Sequence, residues 1–125
     1  MERETYSAME KKVEGTMLLA FYGDMLTENQ REMARLHWEE DLSLAEIAQQ
    51  FSVSRQSVHD TVTRTEKQLE AMEEKLGLLR RDRQRAEGLL ACSRALERVA
   101  PTPDTEIYLR QARALVASLL DQEDQ

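Results

Sequence analysis

The stretch "SLAEIAQQFSVSRQSVHDTVTR", Ser43 to Arg64, decides how this chain is read. Ser43 followed three residues on by Glu46 is a capping box: the hydroxyl takes a backbone N–H of the first helical turn, and the glutamate returns the favour. A short helix then runs from about Leu44 to Phe51. "SVS" makes a turn, and Ser54 caps a second helix that starts at Arg55. Two helices crossing this closely need a small residue where they meet, and Ala48 supplies it. Ile47, Phe51, Val53 and Val58 fill the wedge, and the outer positions stay polar. This is a helix-turn-helix. Its turn often carries Gly in the left-handed region. Here the residue is Ser52, at a cost of order 1 kcal/mol.

The second helix continues far past the motif. Val58, Val62, Thr65, Leu69, Met72, Leu76 and Leu79 recur at alternating steps of four and three, an uninterrupted heptad seam. From Arg55 to Leu76 the helix would be about 33 Å long, and Gly77 marks a kink or an end. Such a seam is expected to be covered by a second copy of the chain, or else by the chain's own C-terminal helices. A homodimer is the favoured arrangement.

On the N-terminal side, residues 1–12 are polar and expected to be frayed or partly helical. A first helix is predicted over about 13–25, with Val13, Met17, Leu18, Phe21, Tyr22 and Met25 on one apolar stripe. Thr27 caps a second helix over about 28–40, with Gln30 completing the capping box and Met33, Ala34, Leu36 and Trp38 inward. Beyond the seam, helices are predicted over about 80–99 and 103–121. The first of these turns Ala86, Leu89, Leu90, Leu96 and Val99 inward. The last starts after Thr102 with Pro103 at its first position, and its inner residues are Tyr108, Ala112, Leu115, Val116 and Leu119. The fold class is all-α. Residues 13–79 form the helix-turn-helix domain with its long fourth helix, and 80–125 form a helical extension packing back on it.

Composition agrees. The 125 residues are 33% charged and 41% hydrophobic, with four Gly and two Pro. No apolar run approaches the roughly 20 residues of a membrane span, and residues 1–15 lack a signal peptide's apolar segment. A single cysteine, Cys92, excludes an intrachain disulfide, so a cytoplasmic setting is expected. Beside Leu89, Leu90 and Leu96, Cys92 reads as a small buried hydrophobe. His37 and His59, the only histidines, have no acidic or cysteine neighbours at metal-ligand spacing. No phosphate-binding glycine loop, catalytic carboxylate pair or cofactor motif is present, so neither an enzyme nor a cofactor is expected.

The charge raises the functional question. The net charge is −7, whereas nucleic-acid binders usually carry a basic face. Residues 27–67 hold five Lys/Arg against eight Asp/Glu, but Ser52–Lys67 holds three against two. The segment that should face nucleic acid is less acidic than its surroundings. In a helix-turn-helix the start of the second helix reaches base edges in the major groove. Arg55 and Gln56 suit guanine or adenine edges, with Ser57, His59 and Asp60 beside them. Arg64, Lys67 and the backbone N–H groups near Ser54 suit phosphates. The run Arg80, Arg81, Arg83 and Arg85 is the most basic stretch of the chain. It reads as a solvated face that could also meet RNA or DNA phosphates.

Three further patterns stand together: "LTENQR" at Leu26–Arg31, "DLSLAEIA" at Asp41–Ala48 and "VSRQSVHDTVTRTE" at Val53–Glu66. With them, residues 18–79 resemble the YlxM-like family of DNA-binding proteins, and the helix-turn-helix is similar to region 4 of bacterial sigma factors. Residues 80–125 lie outside the resemblance. It implies an all-helical, dimeric bacterial cytoplasmic protein and a link to the signal recognition particle pathway. Three functions follow as expectations: a regulator acting on DNA, an accessory protein binding signal recognition particle RNA or its GTPase, or a helical adaptor that binds no nucleic acid.

Overall fold

The computed structural model describes residues 2–123, with side chains for 9–122. Among them are six α-helices and no strand: α1 (Glu2–Tyr22), α2 (Glu28–Trp38), α3 (Leu44–Phe51), α4 (Arg55–Leu76), α5 (Leu78–Glu97) and α6 (Glu106–Glu123), with a single 3-10 turn at Gly23–Met25 between α1 and α2. The all-α class is as expected. The chain divides into two compact units, Met1–Leu79 and Arg80–Gln125.

Local chemistry sets most boundaries of the first unit. Thr27 Oγ1 accepts the Gln30 N–H at 3.2 Å, and Gln30 Oε1 accepts the Thr27 N–H at 3.2 Å. Ser43 and Glu46 make the same exchange at 3.1 and 3.3 Å. Gln30 is buried, and its amide donates to Gln68 Oε1 at 2.8 Å, which ties the cap of α2 to α4. At the end of α3, Ser52 adopts φ 55° and ψ 43°. The Val53 N–H reaches Ala48 O at 3.1 Å and the Ser52 N–H reaches Gln49 O at 3.4 Å. These two bonds form a Schellman motif with serine in the place glycine usually takes.

Two clusters make the core. Leu18, Leu19, Tyr22, Ala34, Leu69 and Leu79 form one, and Met33, Leu36, Ile47, Ala48, Val58 and Val62 form the other, with Trp38 against both. The seam of α4 is therefore covered inside its own unit. Val58, Val62, Thr65, Leu69 and Leu79 are buried, and α4 packs against α1, α2 and α3. The cover expected from a second copy or from the C-terminal helices comes from the three preceding helices. The seam thins as α4 leaves them: Met72 is half-buried and Leu76 is 42% exposed.

The first helix departs from expectation at both ends. It begins at Glu2 rather than near 13, and Gly23–Met25 is a 3-10 turn. Its inner face is Gly15, Leu18, Leu19 and Tyr22, while Val13, Phe21 and Met25 are exposed. The reason is a close approach. A Cβ on Gly15 would lie 2.6–2.9 Å from three indole carbons of Trp38, so the backbone of α1 rests directly on that ring. This contact turns α1 so that residue 15, not 13 or 17, faces α2. Gly15→Ala should destabilise the unit. Overpacking costs about 1–3 kcal/mol, and the gain in helix propensity returns at most about 1 kcal/mol. A urea midpoint equal to or above wild type would show that the indole has room to move.

The loop from α2 to α3 is pinned by polar contacts. His37 Nδ1 lies 2.9 Å from Leu42 O. A carbonyl only accepts, so Nδ1 carries the proton. Arg35 bonds Glu32 at 2.6 Å and Glu40 at 3.2 Å, and its guanidinium holds the Glu32 carboxyl below the usual range. Asp41, at φ 58°, pairs with Lys12 of α1. That ammonium lowers the Asp41 carboxyl as well. Both carboxylates add stability above the ordinary carboxylate pKa, and it fades as pH falls through their lowered values.

At the other end of α4, Gly77 takes φ 63° and its N–H bonds Glu73 O at 2.8 Å. Tyr22 Oη donates to Glu73 Oε1 at 2.7 Å. The same oxygen accepts the Leu79 N–H at 3.0 Å, and Tyr22 Oη accepts the Leu78 N–H at 3.1 Å. A carboxylate and a buried phenol thus cap the first turn of α5, where a negative charge is favoured.

In the second unit, α5 starts two residues before the expected position and ends at Glu97. The helix expected from Pro103 begins at Glu106, after a turn closed by the Glu106 N–H on Thr102 O at 2.9 Å. Arg113 of α6 donates to Leu96 O of α5 at 3.1 Å. The less exposed face of α6 is Leu109, Ala112, Val116 and Leu120. Tyr108, Leu115 and Leu119, expected inward, are exposed, as are Leu90 of α5 and Val99 just beyond its end. Cys92, expected buried, is exposed too.

Candidate nucleic-acid interface

With α3 and α4 fixed by a shared core, the outer surface of α4 is set by helical phase. At about 100° per residue, Gln56, Asp60, Thr63, Arg64, Lys67 and Ala71 fall on one arc opposite Val58, Val62, Thr65 and Leu69. Asp60, Thr63, Arg64, Lys67, Gln68 and Ala71 line a shallow groove of about 450 Å³. Of the residues singled out in the sequence, Gln56, Asp60, Arg64 and Lys67 come together here, all exposed.

Ser54 sits at the N-terminus, where its Oγ accepts the Ser57 N–H at 3.0 Å. That bond satisfies one of the free donors of the first turn, and the helix terminus keeps its favourable field for an anion. Arg55 is the first helical residue and is exposed. Its phase puts it off the arc, past His59 and next to Val62 on the core side, so it can reach outward only from its place at the helix tip. Ser57 borders the arc on the opposite side.

Within the arc, Gln56 Nε2 donates to Asp60 Oδ1 at 2.9 Å. Sequence reasoning named both residues and missed their bond, although Gln and Asp at i and i+4 are a recognised helical pair. Arg64 and Lys67 have no partner among the described residues.

His59 is placed elsewhere. It lies about a quarter turn from the arc, with its Nδ1 3.6 Å from Asp60 Oδ1. On that flank a cavity of about 250 Å³ is lined by Lys11, Lys12, His37, Trp38, Leu44, His59, Val62, Thr63 and Glu66. Both histidines thus line one cavity with two lysines of α1. No sequence signal joins residues 11, 37 and 59, which tertiary packing alone gathers. Among the described residues no group of three His, Cys, Asp or Glu side chains could hold a metal ion, and no helix is long and apolar enough to cross a membrane. In the second unit, Arg80, Arg81, Arg83 and Arg85 are exposed on α5.

Residues 9–97 match the family described as "Putative helix-turn-helix protein, YlxM / p13 like". The chain is similar to a UPF0122 protein of Halalkalibacterium halodurans, at 41% identity over 107 residues covering 86% of this chain and 98% of that protein. It is also similar to a UPF0122 protein of Clostridium botulinum, at 48% over 73 residues covering 58% and 67%, and to one of Geobacillus kaustophilus, at 49% over 73 residues covering 58% and 66%.

Proposed function

The chain belongs to the YlxM / p13-like family of helix-turn-helix proteins, and on that premise we propose that it is a cytoplasmic regulator that binds duplex DNA through α4. The observation that carries this reading is the outer arc of α4. It presents Gln56, Arg64 and Lys67 on a helix whose opposite face is locked into the core. A rigid helix with a polar outer face is what major-groove reading requires. Arg55 at its tip and the capped N-terminus at Ser54 add a base contact and a phosphate contact.

The acidic remainder of the chain then has a use. Few cations face the duplex, so random sequence is held weakly, and a homodimer would present the same few groups twice. The dimer rests on the family resemblance and on helix-turn-helix precedent, because α1, α2 and α3 already cover the seam of α4. A second reading has its own observation: the exposed Arg80, Arg81, Arg83 and Arg85 of α5 suit an RNA backbone, as in an accessory protein of the signal recognition particle that binds its RNA or its GTPase.

The test is fluorescence anisotropy with pooled genomic duplexes and with signal recognition particle RNA across a salt series. The two phosphate-facing cations of each copy, Arg64 and Lys67, set a shallow salt slope for B-DNA, about −1.8 per copy and about −3.6 for the dimer. Arg55→Ala should cost about 1–3 kcal/mol on preferred duplexes only, and Arg64→Ala should weaken all duplexes alike. RNA binding that survives Arg55→Ala but is lost on replacing the four arginines of α5 would establish the second reading instead. Binding to neither would leave a helical adaptor.

A further inference from the structure

A carboxylate in the middle of a DNA-reading arc needs an explanation. Asp60 repels phosphate and has no complementary group on guanine, whose major-groove edge offers acceptors only. It accepts a hydrogen bond from Gln56 Nε2 at 2.9 Å. Because a carboxylate only accepts, the Gln56 amide must turn its NH₂ group toward Asp60. One N–H is then used, and Gln56 Oε1 and the second N–H remain on the outer arc. That pair, an acceptor beside a donor, is the complement of adenine, which offers N6–H and N7 in the major groove.

We infer that Asp60 is a positioning residue that presets Gln56 for two hydrogen bonds to one adenine: Oε1 accepting from N6, and Nε2 donating to N7. This rests on the DNA reading above and names what that site selects. The charged neighbours are consistent. His59 Nδ1 lies 3.6 Å from Asp60 on the flank side, and Arg64 follows one turn later on the arc, where it can meet the backbone beside the contacted base. Asp60 also lowers affinity for every duplex alike, so the adenine contact supplies selectivity and not strength.

The experiment uses the full chain and duplexes selected from a random pool, with each adenine replaced in turn by 7-deazaadenine, which pairs normally but lacks N7. Wild type should lose about five- to 150-fold in affinity at one adenine. Asp60→Asn keeps an acceptor for Gln56, so it should retain that loss while binding all duplexes more tightly. Asp60→Ala should also bind more tightly overall, but become indifferent to 7-deazaadenine. Circular dichroism melts establish that both variants are folded. An Asp60→Ala protein that still discriminates, or a wild type that binds duplexes yet ignores every replacement, overturns the inference and leaves the DNA reading standing. A wild type that binds no duplex at all ends both.

Discussion

Leu69→Glu is expected to abolish the cooperative melt of the first unit, whereas Leu76→Glu, one heptad further along the same seam, should leave it within a few degrees of wild type. Leu69 is 0% exposed and sits between Leu18, Leu19, Tyr22, Ala34 and Leu79. Truncation to alanine at such a site costs about 2–5 kcal/mol. Glutamate adds an unpaired carboxylate where no water can reach it. The sum rivals the 5–15 kcal/mol that holds a typical domain together. Leu76 is 42% exposed, and substitutions at such positions stay within about 0.5 kcal/mol. Circular dichroism melts with light scattering separate the alternatives. If Leu69→Glu melted like wild type but halved the particle mass, the seam would lie between chains after all.

Tyr22→Phe should lower the stability of the first unit by about 1–3 kcal/mol, the cost of leaving buried polar groups unsatisfied. In a domain of this size that is about 4–8 °C per kcal/mol. The phenol is wholly buried. Its oxygen serves as donor to Glu73 and acceptor from Leu78, so phenylalanine removes two hydrogen bonds at once. Glu73→Ala should cost a similar amount, since Oε1 also holds the Leu79 N–H. The two changes act on one network, so the double variant should lose less than the sum of the singles. Strict additivity would mean that Tyr22 and Glu73 stabilise the joint between α4 and α5 independently.

The helix-turn-helix was legible in the sequence because its boundaries are local. Thr27 with Gln30, Ser43 with Glu46, and Ser54 each bond groups within three residues, and side-chain identity alone announces them. α3 and α4 therefore start and stop where expected. The seam was misread for a geometric reason. A heptad repeat and the core stripe of a straight helix diverge by only about 20° per heptad, so over three heptads a coiled-coil edge and a buried flank look alike. The faces of α1 and α6 were set by tertiary contacts: Gly15 under Trp38 for the one, and for the other a face centred on Leu109, Ala112 and Val116. In the candidate site, the residues of the arc could be named from spacing, but the rotation of His59 toward α1 depends on where α1 docks.

The contact between Gly15 and Trp38 has a spectroscopic consequence. Trp38 is the only tryptophan of the chain, and its indole lies under the backbone of α1, touches both core clusters and forms part of the wall beside His59. The protein therefore carries its single indole fluorophore, excitable apart from its three tyrosines, at the point where its first helix meets the helix-turn-helix. Emission will report the undocking of α1 at that one place, while ellipticity averages over all six helices. Any difference between the two signals during denaturation measures how far the N-terminal helix can separate before the reading head itself is lost.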